Sequence, residues 1–234
     1  MELLDAIRGR ASTRAFLDKP VSTETIRKIL DAARWAPSGG NTQPWQVAVV
    51  AGDLKQEIGD RMVEAFRSGE GGKADYQYYA HRFPEPYRKR RYTCGMALYE
   101  ALEIERADKE ARGLQWEKNY HGFDAPVELY IFVDESLEMG SWVDTGMFIQ
   151  NVMLAARAFD LETCPQAALA EHPDIVREVL ELPNSMKLVC GIAVGYPSRE
   201  AAVNNYRTER EAVDGFTRWY GLLEEGADLR GKAE

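Results

Sequence analysis

Wound into a helix, SWVDTGMFIQNVMLAARAF (141–159) presents apolar side chains on almost every side. A helix on the surface of a globular protein carries one apolar stripe, so this one has to be covered from several directions. The cover must come from the same chain or from a second subunit. Candidates flank it: WQVAVVA (45–51), VELYIFVD (127–134) and KLVCGIAVGYP (187–197) are rich in β-branched residues and read as strands, as does the shorter LETCP (161–165).

Helical periodicity fills the spaces between these strands. Leu3, Leu4 and Ile7 suggest a short opening helix. Ile26, Ile29, Leu30 and Ala33 recur at i, i+3, i+4 and i+7, with Ser22 placed to cap the start and Pro37 to stop the helix. Leu54, Ile58, Met62, Ala65 and Phe66 mark an amphipathic helix, and HPDIVREVLEL (172–182) another. Strands interleaved with helices, without regular βαβ repetition, predict an α+β fold in one domain spanning 1–234. From Ser68 to about Ala125 the texture changes to glycines, a tyrosine cluster at Tyr76, Tyr78 and Tyr79, and HRFPEPYRKRRY, with a helix expected after Gly95 from Met96, Leu98, Tyr99 and Leu102. An excursion of that kind inside a compact domain reads as a lid or binding insert over 68–125.

Composition removes several function classes. Twenty-nine Lys and Arg against 38 Asp and Glu give a net charge of −9, which argues against a broad nucleic-acid-binding face. An anionic ligand therefore needs a local nest of arginines. The longest uncharged apolar run, Thr145 to Ala156, is too short to cross a bilayer, and MELLDAIRGR lacks the pattern of a secretory signal, so the default address is cytoplasmic. Three cysteines at 94, 164 and 190 fit neither a disulfide framework nor a zinc site, and His81, His121 and His172 form no ligand pair, so no metal is expected. A GxGxxG sequence after a strand is lacking, and a stably held dinucleotide is not indicated.

Four stretches carry candidate chemistry. In RGRASTRAF, Arg10, Ser12 and Arg14 alternate, so an extended backbone turns two guanidinium forks and a hydroxyl towards one phosphate-sized target. A solvated charged edge fits the same pattern. In PSGGNTQPW, Gly39 and Gly40 permit close backbone approach, while Ser38, Asn41 and Gln43 offer groups that match the edge of a planar heterocycle. A turn braced by its own side chains fits that loop as well. TCPQAAL (163–169) places backbone amides at a strand end, with Cys164 alternatively a buried thiol. NNYRTER adds Arg207 and Arg210, which are equally compatible with a charged helix start.

In this order and over nearly the whole chain, RASTRAF, APSGGNTQPW, GMFIQNVMLAARAFDLETCPQAA and GIAVGYPSREAAVNNYRTER resemble the FMN-dependent nitroreductase family. The section PEPYRKRRYTCGMALYEALEIERADKEARGLQWEKN is similar to the branch of nitrobenzoate and nitroaromatic reductases. The resemblance implies a mixed, mainly antiparallel sheet packed by helices in an intertwined homodimer with two FMN sites at the interface. It implies that Arg10, Ser12 and Arg14, with Arg210 and Arg207, hold the phosphate and ribityl chain. Pro37, Ser38, Gly39 and Asn41 would come from the other subunit, and the amides of Gln166, Ala167 and Ala168 would lie by the flavin ring. Many relatives carry Glu-Gly where this chain has Ala167 and Ala168, which keeps a backbone donor and loses an acidic side chain. The implied activity is ping-pong transfer of reducing equivalents from transiently bound NADH or NADPH to a nitroaromatic or quinone. Reductive dehalogenation, flavin breakdown, or FMN binding without turnover are the alternatives. Within the lid, Arg82, Arg88, Lys89, Arg90 and Arg91 against Glu85 offer a landing site for a nucleotide phosphate or a substrate carboxylate, and Tyr76, Tyr79 and Tyr87 offer rings for stacking.

Overall fold

VELYIFVD shows no apolar–polar alternation because both of its faces are covered: seven of its residues are buried. The computed structural model describes residues 2–69 and 71–222; Met1, Glu70 and 223–234, parts of the expected 1–234 span, lie outside the described residues. In chain order the elements are α1 (Leu3–Gly9), α2 (Thr23–Ala33), β1 (Gln46–Ala51), α3 (Gly52–Ser68), α4 (Tyr87–Ala101), α5 (Lys109–Glu117), β2 (Val127–Asp134), α6 (Met139–Arg157), β3 (Glu162–Gln166), α7 (Pro173–Val179), β4 (Met186–Gly195) and α8 (Val213–Phe216). Among the described residues, four strands pair antiparallel in the order β1-β2-β4-β3. The parallel component is a bridge from Ser12 to Thr163, which lays the segment after α1 beside β3.

Because strand side chains alternate, β2 feeds two cores. Val127, Leu129 and Ile131 pack with Ile26, Ile29 and Ala33 of α2 and with Phe148, Val152 and Ala156 of α6. Tyr130 and Phe132 point the other way, onto Ile58 and Met62 of α3 and Val176 of α7. The start of α2 is where its cap chemistry puts it, with Ser22 Oγ accepting from the Thr25 amide at 3.1 Å. Its end precedes Pro37: the Trp35 and Ala36 amides turn back onto Ala32 and Ala33, closing the helix at Ala33 before the proline ring is reached.

Two elements depart from the sequence expectation. WQVAVVA reads as a buried strand, yet β1 is an edge strand whose Val49 is 48% exposed. Apolar composition marks it as a strand without saying which of its sides lacks a neighbour. Helix α4 starts at Tyr87, well before Gly95. The Glu85 carboxylate accepts from the Lys89 amide at 3.2 Å and from Arg88 Nε at 2.6 Å, tying down the first turn in the manner of a cap. On α6, Met139, Val143 and Met147 repeat at four-residue spacing and are 79%, 62% and 36% exposed, whereas Phe148, Val152 and Ala156 face the core. The exposed positions all fall in the N-terminal half of the helix; from Phe148 to Arg157 no residue is exposed.

Glu128, on the second face of β2, is 1% exposed, and neither of its carboxyl oxygens has a hydrogen-bond partner. The Lys55 ammonium donates to His121 O at 2.7 Å. Burial raises the Glu128 carboxyl well above its ordinary 4.5, with the Lys55 charge opposing the rise. The folded chain thus holds this proton to higher pH than the unfolded chain. The associated stability is complete below about pH 4.5 and is lost as pH rises through the folded value. Glu128→Gln is therefore expected to gain stability relative to the parent on going from pH 5 to pH 8. Urea unfolding at the two pH values checks this, and an identical difference at both would contradict it.

Candidate functional site

The site begins where α1 ends. Arg157 of α6 donates through Nη1 to Ala6 O at 2.7 Å and Asp5 O at 3.2 Å, satisfying carbonyls at the helix C-terminus, while its Nε pairs with Glu162 of β3 at 3.0 Å. The guanidinium lies directly against Gly9, where a Cβ would collide with it. Released there, the chain turns extended at Arg10 (φ −61°, ψ 132°), and the Thr13 amide donates to Thr163 O at 3.0 Å.

On its other side the 10–16 segment is buckled to the chain beyond β4. The Arg14 amide donates to Asn204 Oδ1 at 2.8 Å, and Asn204 Nδ2 donates to Ala15 O and Ser198 O, each at 2.8 Å. Arg14 Nη1 reaches Tyr206 Oη at 3.1 Å. Between the two segments opens a cavity of about 690 Å³, to which Arg10, Ser12 and Arg14 contribute from one side and Arg207 and Arg210 from the other. Arg8 brings the arginines to five, and among the described residues no carboxylate lines the cavity. Burial first, then the Arg210 charge, pull Arg10 below its ordinary value, with the Glu162 carboxylate opposing them. Arg207 Nη1 donates to Asn204 O and Tyr206 O, and Arg210 Nη1 to Thr208 Oγ1 at 2.7 Å. Both sit in an irregular stretch rather than at a helix start.

The other expected pieces lie outside this cavity within one chain. The Ser38 hydroxyl accepts from the Gln43 amide at 3.0 Å, the Gly39 amide donates to Asp144 Oδ2 of α6 at 3.0 Å, and Gly40 and Asn41 both adopt φ of 57°. Trp45 then stacks on Phe148, with ring centroids 4.9 Å apart and planes 9° from parallel. The loop is thus a braced turn that leaves Pro37, Gly39 and Asn41 exposed. Gln166 turns its side chain to the core, where Nε2 donates to Asn119 O at 2.6 Å and Oε1 is buried without a partner. Ala168 is buried. Cys164 is 2% exposed, and burial pushes its thiol up to about 12, which keeps it protonated and unreactive.

The tyrosines divide. Tyr76 donates to Val189 O at 2.6 Å and packs on Trp142 at 4.6 Å, a structural post at the base of the 68–125 excursion. Tyr79 stands by Tyr78 and under the Arg91 guanidinium, Tyr87 is 55% exposed beside Arg90, and Arg88 is ion-paired to Glu85. Sequence reasoning passed over Asn204, Tyr206, Arg157 and Asp144. Asn204 and Tyr206 stand within NNYRTER, beside the two arginines. Nothing local marks Arg157 or Asp144, whose partners lie across the fold.

A model of the nitroreductase family matches residues 7–196. The chain is similar to a 4-nitrobenzoate reductase of Pseudomonas putida, at 34% identity over 92% of this chain and 94% of that one. It is also similar to a chloronitrobenzene nitroreductase of Comamonas testosteroni, at 36% identity over 91% of this chain and 94% of the other. The crystal structure of the FMN- and NADPH-dependent nitroreductase NfnB from sphigopyxis sp. strain HMH superposes with a TM-score of 0.92 at 37% identity, covering 95% of this chain and 100% of that one. With the family pattern running from α1 to the end of the central sheet, and relatives matching it over more than nine-tenths of its length, the chain belongs to the nitroreductase family.

Proposed function

We propose that this protein is an FMN-dependent oxidoreductase that passes reducing equivalents from NADH or NADPH, by a ping-pong cycle, to nitroaromatic or quinone-type acceptors. The observation that carries the reading is the arginine-lined, carboxylate-free cavity between the 10–16 segment and the 198–210 segment. Its residues fit a flavin mononucleotide: forked cations for the phosphate, Ser12 and Gln150 for a polyol, and space of the size small-molecule sites have. The relatives' recorded cofactor and substrates support the same assignment.

Arg10, Ser12, Arg14, Arg207 and Arg210 would hold the phosphate and ribityl end. FMN, when bound, supplies the two-electron redox chemistry of the cycle. This chain's own groups bind, orient and exclude water. Asn204 fixes the backbone of Arg14, and Arg157 fixes the exit of α1, so the cationic forks are set before a ligand arrives. Pro37, Ser38, Gly39 and Asn41 would reach the cofactor of a second copy, with Asp144 keeping the loop in shape, and the main chain at Gln166, Ala167 and Ala168 would line the ring. The exposed stripe of Met139, Val143 and Met147, together with Leu3, Leu4 and Ile7 on α1, supports a homodimer in which that copy covers α1 and α6. Residues 68–125 serve as a lid within one 1–234 domain, with Tyr76 holding the base and Tyr79, Tyr87 and Arg88 on its exposed part.

The protein acts on small molecules in the cytoplasm, with no role for nucleic acid or a membrane. Among the described residues, no helix is long and apolar enough to cross one. One spectrum tests the proposal: the purified protein should be yellow and bleach on adding NADH or NADPH, then recover with a nitrobenzoate or a quinone. A yellow protein that neither nicotinamide bleaches would instead be a binding module. A colourless one that FMN cannot reconstitute would remove the reading altogether.

A further inference from the structure

Helix α4 is a partition with a cavity on each side. At about 100° per residue, Lys89, Arg90, Thr93, Cys94 and Ala97 share one side. Cys94 borders the cofactor cavity, and all five line the cleft beside Arg207 and Arg210. Arg88, Arg91, Tyr92, Gly95, Met96 and Tyr99 lie on the opposite side and wall a separate cavity of about 480 Å³, completed by His81, Phe83, Arg106 and Arg112. That volume is within the range of small-molecule sites.

Its lining combines cations with rings and, among the described residues, includes no carboxylate, in a chain whose net charge is −9. The Arg91 guanidinium sits 4.8 Å from the Tyr79 ring centre and 5.0 Å from that of Phe83. Arg106 is 5.7 Å from Tyr92, and Arg112 is 4.9 Å from Tyr99. Arg88 has Glu85, but Arg91, Arg106 and Arg112 are in no ion pair among the described residues. Arg112 Nη1 donates to Arg106 O at 3.2 Å, while its Nε is buried without a partner. A guanidinium whose face is taken by a ring keeps its N–H edge for an acceptor in its own plane, and carboxylates and phosphates match that edge.

We propose that this cavity is a second ligand site, separate from the cofactor cradle, for an aromatic ring carrying a carboxylate or a phosphate. Phe83, Tyr92, Met96 and Tyr99 receive the ring, and Arg106 and Arg112, with Arg91, receive the anion. The site does not depend on bound flavin, so it stands or falls apart from the function proposed above.

Calorimetric titration of the purified protein with benzoate, phenyl phosphate, inorganic phosphate and benzamide tests it. Benzoate or phenyl phosphate should bind at least about tenfold more tightly than inorganic phosphate and benzamide, the tighter of the two naming the natural head group. Arg106→Gln and Arg112→Gln should each weaken that binding about tenfold while leaving flavin content unchanged. Arg14→Ala, on the far side of α4, should leave it within about twofold. If Arg112→Gln does not fold, Arg112→Lys keeps the charge, loses the fork and should still weaken binding. A ligand seated on the flavin would perturb its visible spectrum, and one behind α4 would not. Equal affinity in the Arg106 and Arg112 variants, binding of inorganic phosphate as tight as that of the arenes, absence of binding, or a flavin spectrum that shifts in step with the titration would each overturn the proposal.

Discussion

Arg14→Ala is expected to lower affinity for FMN by roughly 10- to 100-fold, the equivalent of one charge-assisted hydrogen bond of about 1.5–3 kcal/mol. The fold should change little, because the bond that seats this residue in the structure is made by its main chain: the amide donating to Asn204 survives the substitution. What disappears is the guanidinium and its contact with Tyr206. Flavin fluorescence titration against the parent measures the first effect, and the melting midpoint of flavin-free protein the second. Equal FMN affinity in the two proteins would refute the assignment. Asn204→Ala provides the contrast. It strips three hydrogen bonds from the buckle, and both the midpoint and the flavin affinity should fall.

Asp75→Ala is expected to cost about 3–5 kcal/mol, the usual penalty for breaking a buried ion pair from one side. The Asp75 and Arg177 side chains are 7% and 6% exposed, with Arg177 Nη1 2.7 Å from Asp75 Oδ2 and the Leu188 amide donating to the same oxygen at 2.9 Å. Without that carboxylate, Arg177 retains Asp174 and Met186 O, and the Leu188 amide is stranded. For a chain of this size the loss corresponds to a fall in melting temperature of roughly 6–20 °C. Because Asp75 pins the root of the 68–125 excursion beside Tyr76, limited proteolysis should also quicken in that excursion before the sheet is attacked. A destabilisation below about 1 kcal/mol would mean that Arg177 is held elsewhere.

Elements fixed by neighbours in sequence were legible without a structure. Ser22 caps α2 because its hydroxyl meets an amide three residues on, and the β-branched and aromatic content of VELYIFVD marks a strand, though not that both of its faces are covered. The alternation of Arg10, Ser12 and Arg14 likewise foretold an extended segment, since a period of two has one backbone solution. Features set across the fold were not legible. The exposure of Val49 depends on a missing neighbour strand, and the hydrogen bond of Tyr76 on Val189, 113 positions away. Helix α4 has no apolar stripe in its first half, where the cations 88–91 lie between Tyr87 and Tyr92 and line two cavities, so apolar periodicity marks only the part after Gly95. Gln166 illustrates the limit within a motif: its position at the strand end was readable, but the turn of its side chain towards Asn119 was not.

The buckle at Asn204 also dictates a timetable. It joins residues 190 positions apart, so a growing polypeptide has every strand of its sheet in hand before the belt around its first extended segment is fastened. Until the ribosome has released the stretch bearing Arg207 and Arg210, the nascent protein owns half a grip. With the cavity taking FMN as proposed, cofactor capture is a late event in biogenesis, and a premature stop just after Gly195 would yield a molecule with its sheet strands complete and only the Arg8, Arg10 and Arg14 side of the grip.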